Sequence, residues 1–179
     1  MGLAGDLPGA VLFACNRNAV RSPMAAAILR HLAGRRVFVG SAGVRAGEAT
    51  DPFAIAVMEE LGIDMSKHKP VSLAGVHDTS FDLIVTLAPE AHHKALEIVS
   101  GFAVDVEYWP TQDPSLASGN REQVLDAYRA VRDSLFTKIK TALSSPADRA
   151  CERACPATIR SRNSRKRPGR PWAEPPPRP

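Results

Sequence analysis

Near the amino end the sequence sets a cysteine, five residues, an arginine and a serine in a row: Cys15, then Asn16, Arg17, Asn18, Ala19 and Val20, then Arg21 and Ser22. A thiolate is a strong nucleophile, and a guanidinium presents a planar fork that matches two oxygens of a tetrahedral oxyanion. Five residues between them are enough for successive backbone N–H groups to wrap a phosphate-sized anion. The Ser22 hydroxyl can donate to the sulfur. In such a cup Cys15 attacks phosphorus and Arg21 balances the charge spread over the transition state. The leaving oxygen then needs a proton, and breaking the cysteinyl-phosphate needs an activated water. One carboxyl group can do both in turn. Asp113 suits that role, because Pro114 biases it to an extended backbone and so fixes the direction of its side chain. Asp82 and Asp126 are weaker rivals.

The elements around these residues place them. Ala10 to Ala14 is a short apolar run that reads as a buried strand leading into Cys15. Ser22 and Pro23 read as the cap and first residue of a helix, with Met24, Ile28 and Leu32 on its inner face and Gly34 at its end. A second strand is expected over residues 36–40. Asp51-Pro52 repeats the cap-plus-proline signal for a helix whose apolar face is Ala54, Val57, Met58 and Leu61. Residues 81–87 read as a third strand, and Pro89 opens a helix with Leu96 and Val99 inward. A fourth strand carries Val104 and Val106. Val124, Tyr128, Val131, Leu135 and Ile139 mark a long last helix from Arg121. Strands that alternate with helices predict an α/β domain with a mostly parallel sheet, and ligands bind such sheets at the carboxyl ends of the strands. The 15–21 loop lies at such an end.

Composition sets the boundaries. The chain has 179 residues and a formal net charge of +4, but the charge is unevenly spread. Residues 145–179 carry nine Lys or Arg against three acids, and eight of the 15 prolines. Residues 1–144 are therefore read as the folded domain, and 145–179 as a basic, Pro-rich, disordered tail that lacks the apolar surface to offset its ordering entropy. No stretch approaches the roughly 18 apolar residues of a membrane helix. The N-terminus shows no secretory pattern. Three cysteines argue against a disulfide framework and for a cytoplasmic, reducing setting.

Residues 11–34, together with Ser41-Ala42-Gly43, the stretch Gly62 to His68, Phe81 to Val85 and Asp113-Pro114, resemble the low-molecular-weight protein tyrosine phosphatases in order and spacing. The resemblance runs over residues 10–143. It implies a three-layer α/β/α fold with a four-stranded parallel sheet. It also implies Cys15 as nucleophile, Arg21 as phosphate clamp, Ser22 as thiolate stabiliser, Asn18 as loop organiser and Asp113 as general acid. The implied substrate is a phosphorylated protein or a small aryl phosphate, with no metal and no cofactor. Arg17 stands where the family usually has Gly. Either the loop is built differently there, or the side chain adds charge at the pocket rim. Val20 replaces a second Cys, and Ser115-Leu116 follow Asp-Pro where eukaryotic members carry two Tyr.

Other readings compete. Cys15 could be an inert core thiol. His92 and His93 are adjacent and do not share a helix face, which argues against a metal pair. His68 reads as a structural hydrogen-bonding residue near the loop. An arsenate reductase on the same fold would use the same thiolate but needs further thiols, and residues 80–100 hold none. Only Cys151 and Cys155 could serve. A non-enzymatic anion-binding or DNA-associated regulator would act through residues 145–179, where Arg165 to Pro171 faintly resembles a minor-groove binder. That tail is the single route by which nucleic acid enters.

Overall fold

The computed structural model describes residues 8–76 and 80–143. The elements run β1 (Ala10–Cys15), α1 (Arg21–Ala33), β2 (Phe38–Gly43), α2 (Pro52–Glu59), β3 (Leu83–Thr86), α3 (Pro89–Ile98), β4 (Asp105–Tyr108) and α4 (Arg121–Leu143). The four strands form one sheet in the order β2-β1-β3-β4, and every pairing is parallel. The α/β fold with a four-stranded parallel sheet is thus as expected. The tail assigned to residues 145–179 lies outside the described residues.

The alternation of side chains along β1 builds both layers. Val11, Phe13 and Cys15 face α1, α2 and α4, while Leu12 and Ala14 face α3. Phe13 is 1% exposed and meets Trp109 edge-on at 6.3 Å. Burial of such a ring contributes about 2–3 kcal/mol. On α4, Tyr128, Val131, Leu135 and Ile139 form the expected buried stripe. From β1 the chain winds to β2 on one side and then to β3 on the other. The carboxyl ends of β1 and β3 therefore flank the switch point of the sheet, where such folds bind ligands.

Four local expectations change, the first being Leu61, which was expected on the apolar face of α2 but lies past its end at Glu59 and is 40% exposed. α1 starts at Arg21 with Val20 as its cap, and no side chain caps it, so Ser22 lies inside the first turn and is free for other partners. β2 runs two to three residues later than expected, because a 3-10 turn over Gly34–Arg36 delays it and its pairing with β1 carries on to Gly43. On α3 the inward residues are Ala91 and Ala95, whereas Leu96 is 46% exposed. The small alanines let this helix sit close to the sheet. The Asp51 cap holds as read, its carboxylate accepting from Phe53 N–H at 2.8 Å.

Candidate active site

Residues 15–20 form the cup because their carbonyls are pulled outward. Val44 N–H donates to the Cys15 carbonyl at 2.9 Å, Arg45 N–H to Asn16 at 2.9 Å, Gly47 N–H to Arg17 at 2.8 Å and Asp51 N–H to Ala19 at 3.0 Å. In a trans peptide the following N–H points opposite to its carbonyl. The N–H groups of residues 16, 17, 18 and 20 are thereby turned to the inner side, a nest on the N-terminus of α1 of the kind that suits an anion. Asn18 N–H lies 3.3 Å from Cys15 Sγ. The stitching segment approaches so closely that a Cβ on Gly43 would sit 2.7 Å from Asn18 N and 2.7 Å from the Arg45 carbonyl.

Asn18 turns the loop. Its φ of 52° is the one positive value at a non-glycine residue among those described, so the left-handed position falls on Asn18 and not on Arg17. An Asn tolerates this conformation better than most residues. Its side chain is fully buried. Oδ1 accepts from Val71 N–H at 2.9 Å and lies 3.2 Å from His68 Nε2, and Nδ2 donates to Ser22 Oγ at 2.9 Å. Burial pushes the His68 ring below its ordinary value, toward the neutral form. Both neighbours of Nε2 are Asn18 oxygens, so the neutral ring carries its proton on Nε2.

Ser22 Oγ sits 2.9 Å from Cys15 Sγ and 3.2 Å from the Ala42 carbonyl. It owns one proton and already accepts from Asn18. An ionised sulfur therefore draws the hydroxyl hydrogen, and a neutral thiol leaves it to Ala42. Arg21, 6% exposed, donates through Nη1 to the Thr111 carbonyl at 3.0 Å and through Nη2 to Asp113 Oδ2 at 2.7 Å. The other Asp113 oxygen accepts from Ser115 Oγ at 2.7 Å and from Ser115 N–H at 3.1 Å. The loop after β4 is thus drawn over the cup. The resulting cleft, about 290 Å³, is bordered by Cys15, Arg17, Ala19, Val20, Arg21 and Asp113 among others.

The remaining residues of the stretch take distinct places. Asn16 Nδ2 donates to Glu90 Oε2 at 3.1 Å. Glu90's own backbone N–H and then Asn16 hold its carboxyl below the usual range. Arg17 is exposed at the rim. The rival acids are elsewhere: Asp82 accepts from Ala10 N–H at the opposite end of the sheet, and Asp126 pairs with Arg129 on the outside of α4. His92 Nδ1 lies 3.0 Å from Thr86 Oγ1, and no group of three or more His, Cys, Asp or Glu is placed to hold a metal among the described residues. No helix among them is long and apolar enough to cross a membrane.

Sequence reasoning missed the 43–51 segment that holds the cup, and Asp51 and Glu48 on the cleft wall. The crowding of small residues in Gly43 to Ala49 was the available signal.

The family model for the low molecular weight phosphotyrosine protein phosphatases matches residues 10–150. An arsenate reductase of Bacillus subtilis (strain 168) is 31% identical over 130 residues, covering 73% of this chain and 91% of that protein. The "Probable low molecular weight protein-tyrosine-phosphatase EpsP" of Ralstonia solanacearum is 40% identical over 78 residues, 43% of this chain and 54% of its own length. The YwlE arginine phosphatase structure from Geobacillus stearothermophilus superposes with a TM-score of 0.65 at 26% identity, covering 82% of this chain and 96% of that one. The matched span takes in the whole sheet, the cup and the last helix, and the chain belongs to the low molecular weight phosphotyrosine protein phosphatase family.

Proposed function

We propose that the protein is a cysteine-dependent phosphomonoesterase acting on phosphotyrosine-type esters, either on a phosphorylated protein or on a small aryl phosphate. The observation that carries this reading is the Arg21–Asp113 contact of 2.7 Å over a cup that holds Cys15 Sγ against Ser22 Oγ. The phosphoryl group enters the nest of residues 16–20, Arg21 turns its fork from Asp113 to two phosphoryl oxygens, and Asp113, released from the ion pair, takes up a proton from solvent while Cys15 stands as the thiolate. Cys15 Sγ forms the S–P bond as the O–P bond breaks, and Asp113 gives its proton to the departing oxygen. Asp113, now a carboxylate, takes a proton from water. The resulting hydroxide attacks phosphorus, the S–P bond breaks and the thiolate returns to the Ser22 hydroxyl. A thiolate nucleophile suits a reducing, cytoplasmic compartment.

Arsenate reduction is the second reading, supported by the arsenate reductase relative. Between Cys15 and Cys151 the sequence has no cysteine, and Cys151 and Cys155 lie outside the described residues. The deciding experiment measures p-nitrophenyl phosphate hydrolysis and thiol-dependent arsenate reduction side by side. The phosphatase reading expects metal-independent, vanadate-sensitive hydrolysis, abolished in Cys15→Ser and reduced about 10²–10⁴-fold in Asp113→Asn. Normal turnover by Cys15→Ser overturns it. Arsenate reduction without ester hydrolysis, lost when residues 145–179 are removed, establishes the alternative.

A further inference from the structure

Two clefts meet at Arg17. One holds Cys15 and is walled by Glu48, Asp51 and Asp113; the other lies over Asn16, between Arg45 and Glu90. Most of these charges are already engaged. Asp113 is paired with Arg21, Asp51 accepts from Phe53 N–H and Tyr128 OH, and Glu90 accepts from Asn16. Arg17, Arg45 and Glu48 are exposed, and none of them makes an ion pair with another described residue. Their backbones are fixed to one another, since Arg45 N–H and Gly47 N–H are bonded to the carbonyls of Asn16 and Arg17. The backbone at Arg45 and at Gly47, next to Glu48, is therefore held to the cup. No Phe, Tyr or Trp lines either cleft among the described residues, so ring stacking contributes nothing to holding a substrate there.

We propose that this charge-polarised mouth, with Arg45 on the cleft over Asn16 and Glu48 on the wall of the cleft that holds Cys15, selects phosphopeptides by the order of the acidic and basic residues flanking the phosphorylated one. The proposal rests on the phosphatase reading above and adds the substrate class to it. An acidic flank lies along Arg45 while a basic flank lies along Glu48, and Arg17, which borders both clefts, favours neither order. The reversed peptide puts like charges together on both sides.

The test uses two phosphotyrosyl peptides of identical composition, one with two Glu before and two Lys after the phosphotyrosine, the other with the order reversed. Identical net charge removes any general attraction to the protein. Exposed charge contacts are individually weak, and together they give a kcat/KM ratio of roughly five- to tenfold at low salt. The ratio falls toward one in 0.5 M salt, where screening acts within about 4 Å. Arg45→Ala and Glu48→Gln each reduce it about two- to threefold, and the double variant brings it near one. Because the readout is a ratio, an effect common to both peptides cancels. Equal kcat/KM for the two peptides overturns the proposal. Fluorescence anisotropy of both peptides with the full-length Cys15→Ser protein separates the two claims. Ordered binding without wild-type turnover keeps the polarised mouth and refutes the phosphatase reading, whereas equal binding refutes the mouth.

Discussion

Replacing Gly43 by Ala adds one methyl group where the end of β2 presses on the cup. The new Cβ would stand 2.7 Å from the Arg45 carbonyl, 2.7 Å from Asn18 N and 2.8 Å from Arg17 C. All three are backbone atoms, so no side chain can swing away. Each contact is roughly 0.7 Å or more short of an ordinary one, and either the cup or the 44–47 segment has to give. Overpacking of this kind costs about 1–3 kcal/mol, which for a domain of this size lowers Tm by roughly 2–4 °C per kcal/mol. The effect on chemistry is larger. The displaced atoms belong to the nest itself, and a shift approaching 1 Å in a reacting geometry costs on the order of 10²-fold. We expect Gly43→Ala to lose about 30- to 300-fold in kcat/KM for p-nitrophenyl phosphate, with phosphate affinity by calorimetry falling in parallel. Gly34→Ala is the matched control. Gly34 has a φ of 61° and nothing within 4 Å of a new Cβ, so it pays about 1–2 kcal/mol of backbone strain while turnover stays unchanged. Retention by Gly43→Ala of activity within threefold, with Tm within 2 °C of wild type (roughly the shift from 0.5–1 kcal/mol), would refute the view that β2 packing holds the cup.

Further outcomes follow from the same geometry. Asn18→Gly keeps the positive φ and removes the amide that serves Val71, His68 and Ser22, so chemical denaturation should show a loss of about 1–3 kcal/mol; a loss below about 0.5 kcal/mol contradicts that role. Asn18→Ala should add about 1–2 kcal/mol of left-handed strain to that loss. His68, held below its ordinary value by burial, binds protons more readily in the unfolded chain. Its contribution to stability is therefore complete above about pH 6.5 and drains as pH falls below it. The stability gap between wild type and His68→Gln should narrow from pH 7.5 to 5 in urea titrations, and a constant gap tells against the assignment. The Arg129 and then the Arg132 guanidinium hold Glu60 down to about 2. Its contribution is present above about pH 4.5 and is lost as pH falls toward 2, so the urea midpoints of wild type and Glu60→Gln should converge between pH 6 and pH 3. Parallel curves would mean that this surface network adds nothing.

Much of the molecule was legible from local spacing. The run from Cys15 to Arg21 joins a strand to a helix in one stretch of chain, and its geometry follows from a short loop between two regular elements. The Asp51-Pro52 start and the α4 stripe follow from a cap preference and a 3.6-residue period, each set within a few neighbours. Where the reading slipped, a distant partner had decided the matter. Ser22 looked like a cap, but the sulfur of Cys15, the Asn18 amide and the Ala42 carbonyl converge on its hydroxyl, and the helix begins before it. Leu96 had the right period to point inward, yet the close approach of α3 to the sheet selected Ala91 and Ala95.

By itself, then, the sequence determined which atoms are available for chemistry and which elements carry them, because strand, turn and helix preferences act over a few residues. Tertiary structure decided how those atoms face one another. The Arg21–Asp113 contact spans 92 positions, the Asn18–Val71 bond spans 53, and the stitching of the cup to residues 44–51 depends on the register of β1 with β2. Contacts over such separations form once the sheet has assembled and the hydrophobic layers have packed, because no local preference can offset the entropy of closing loops of that length.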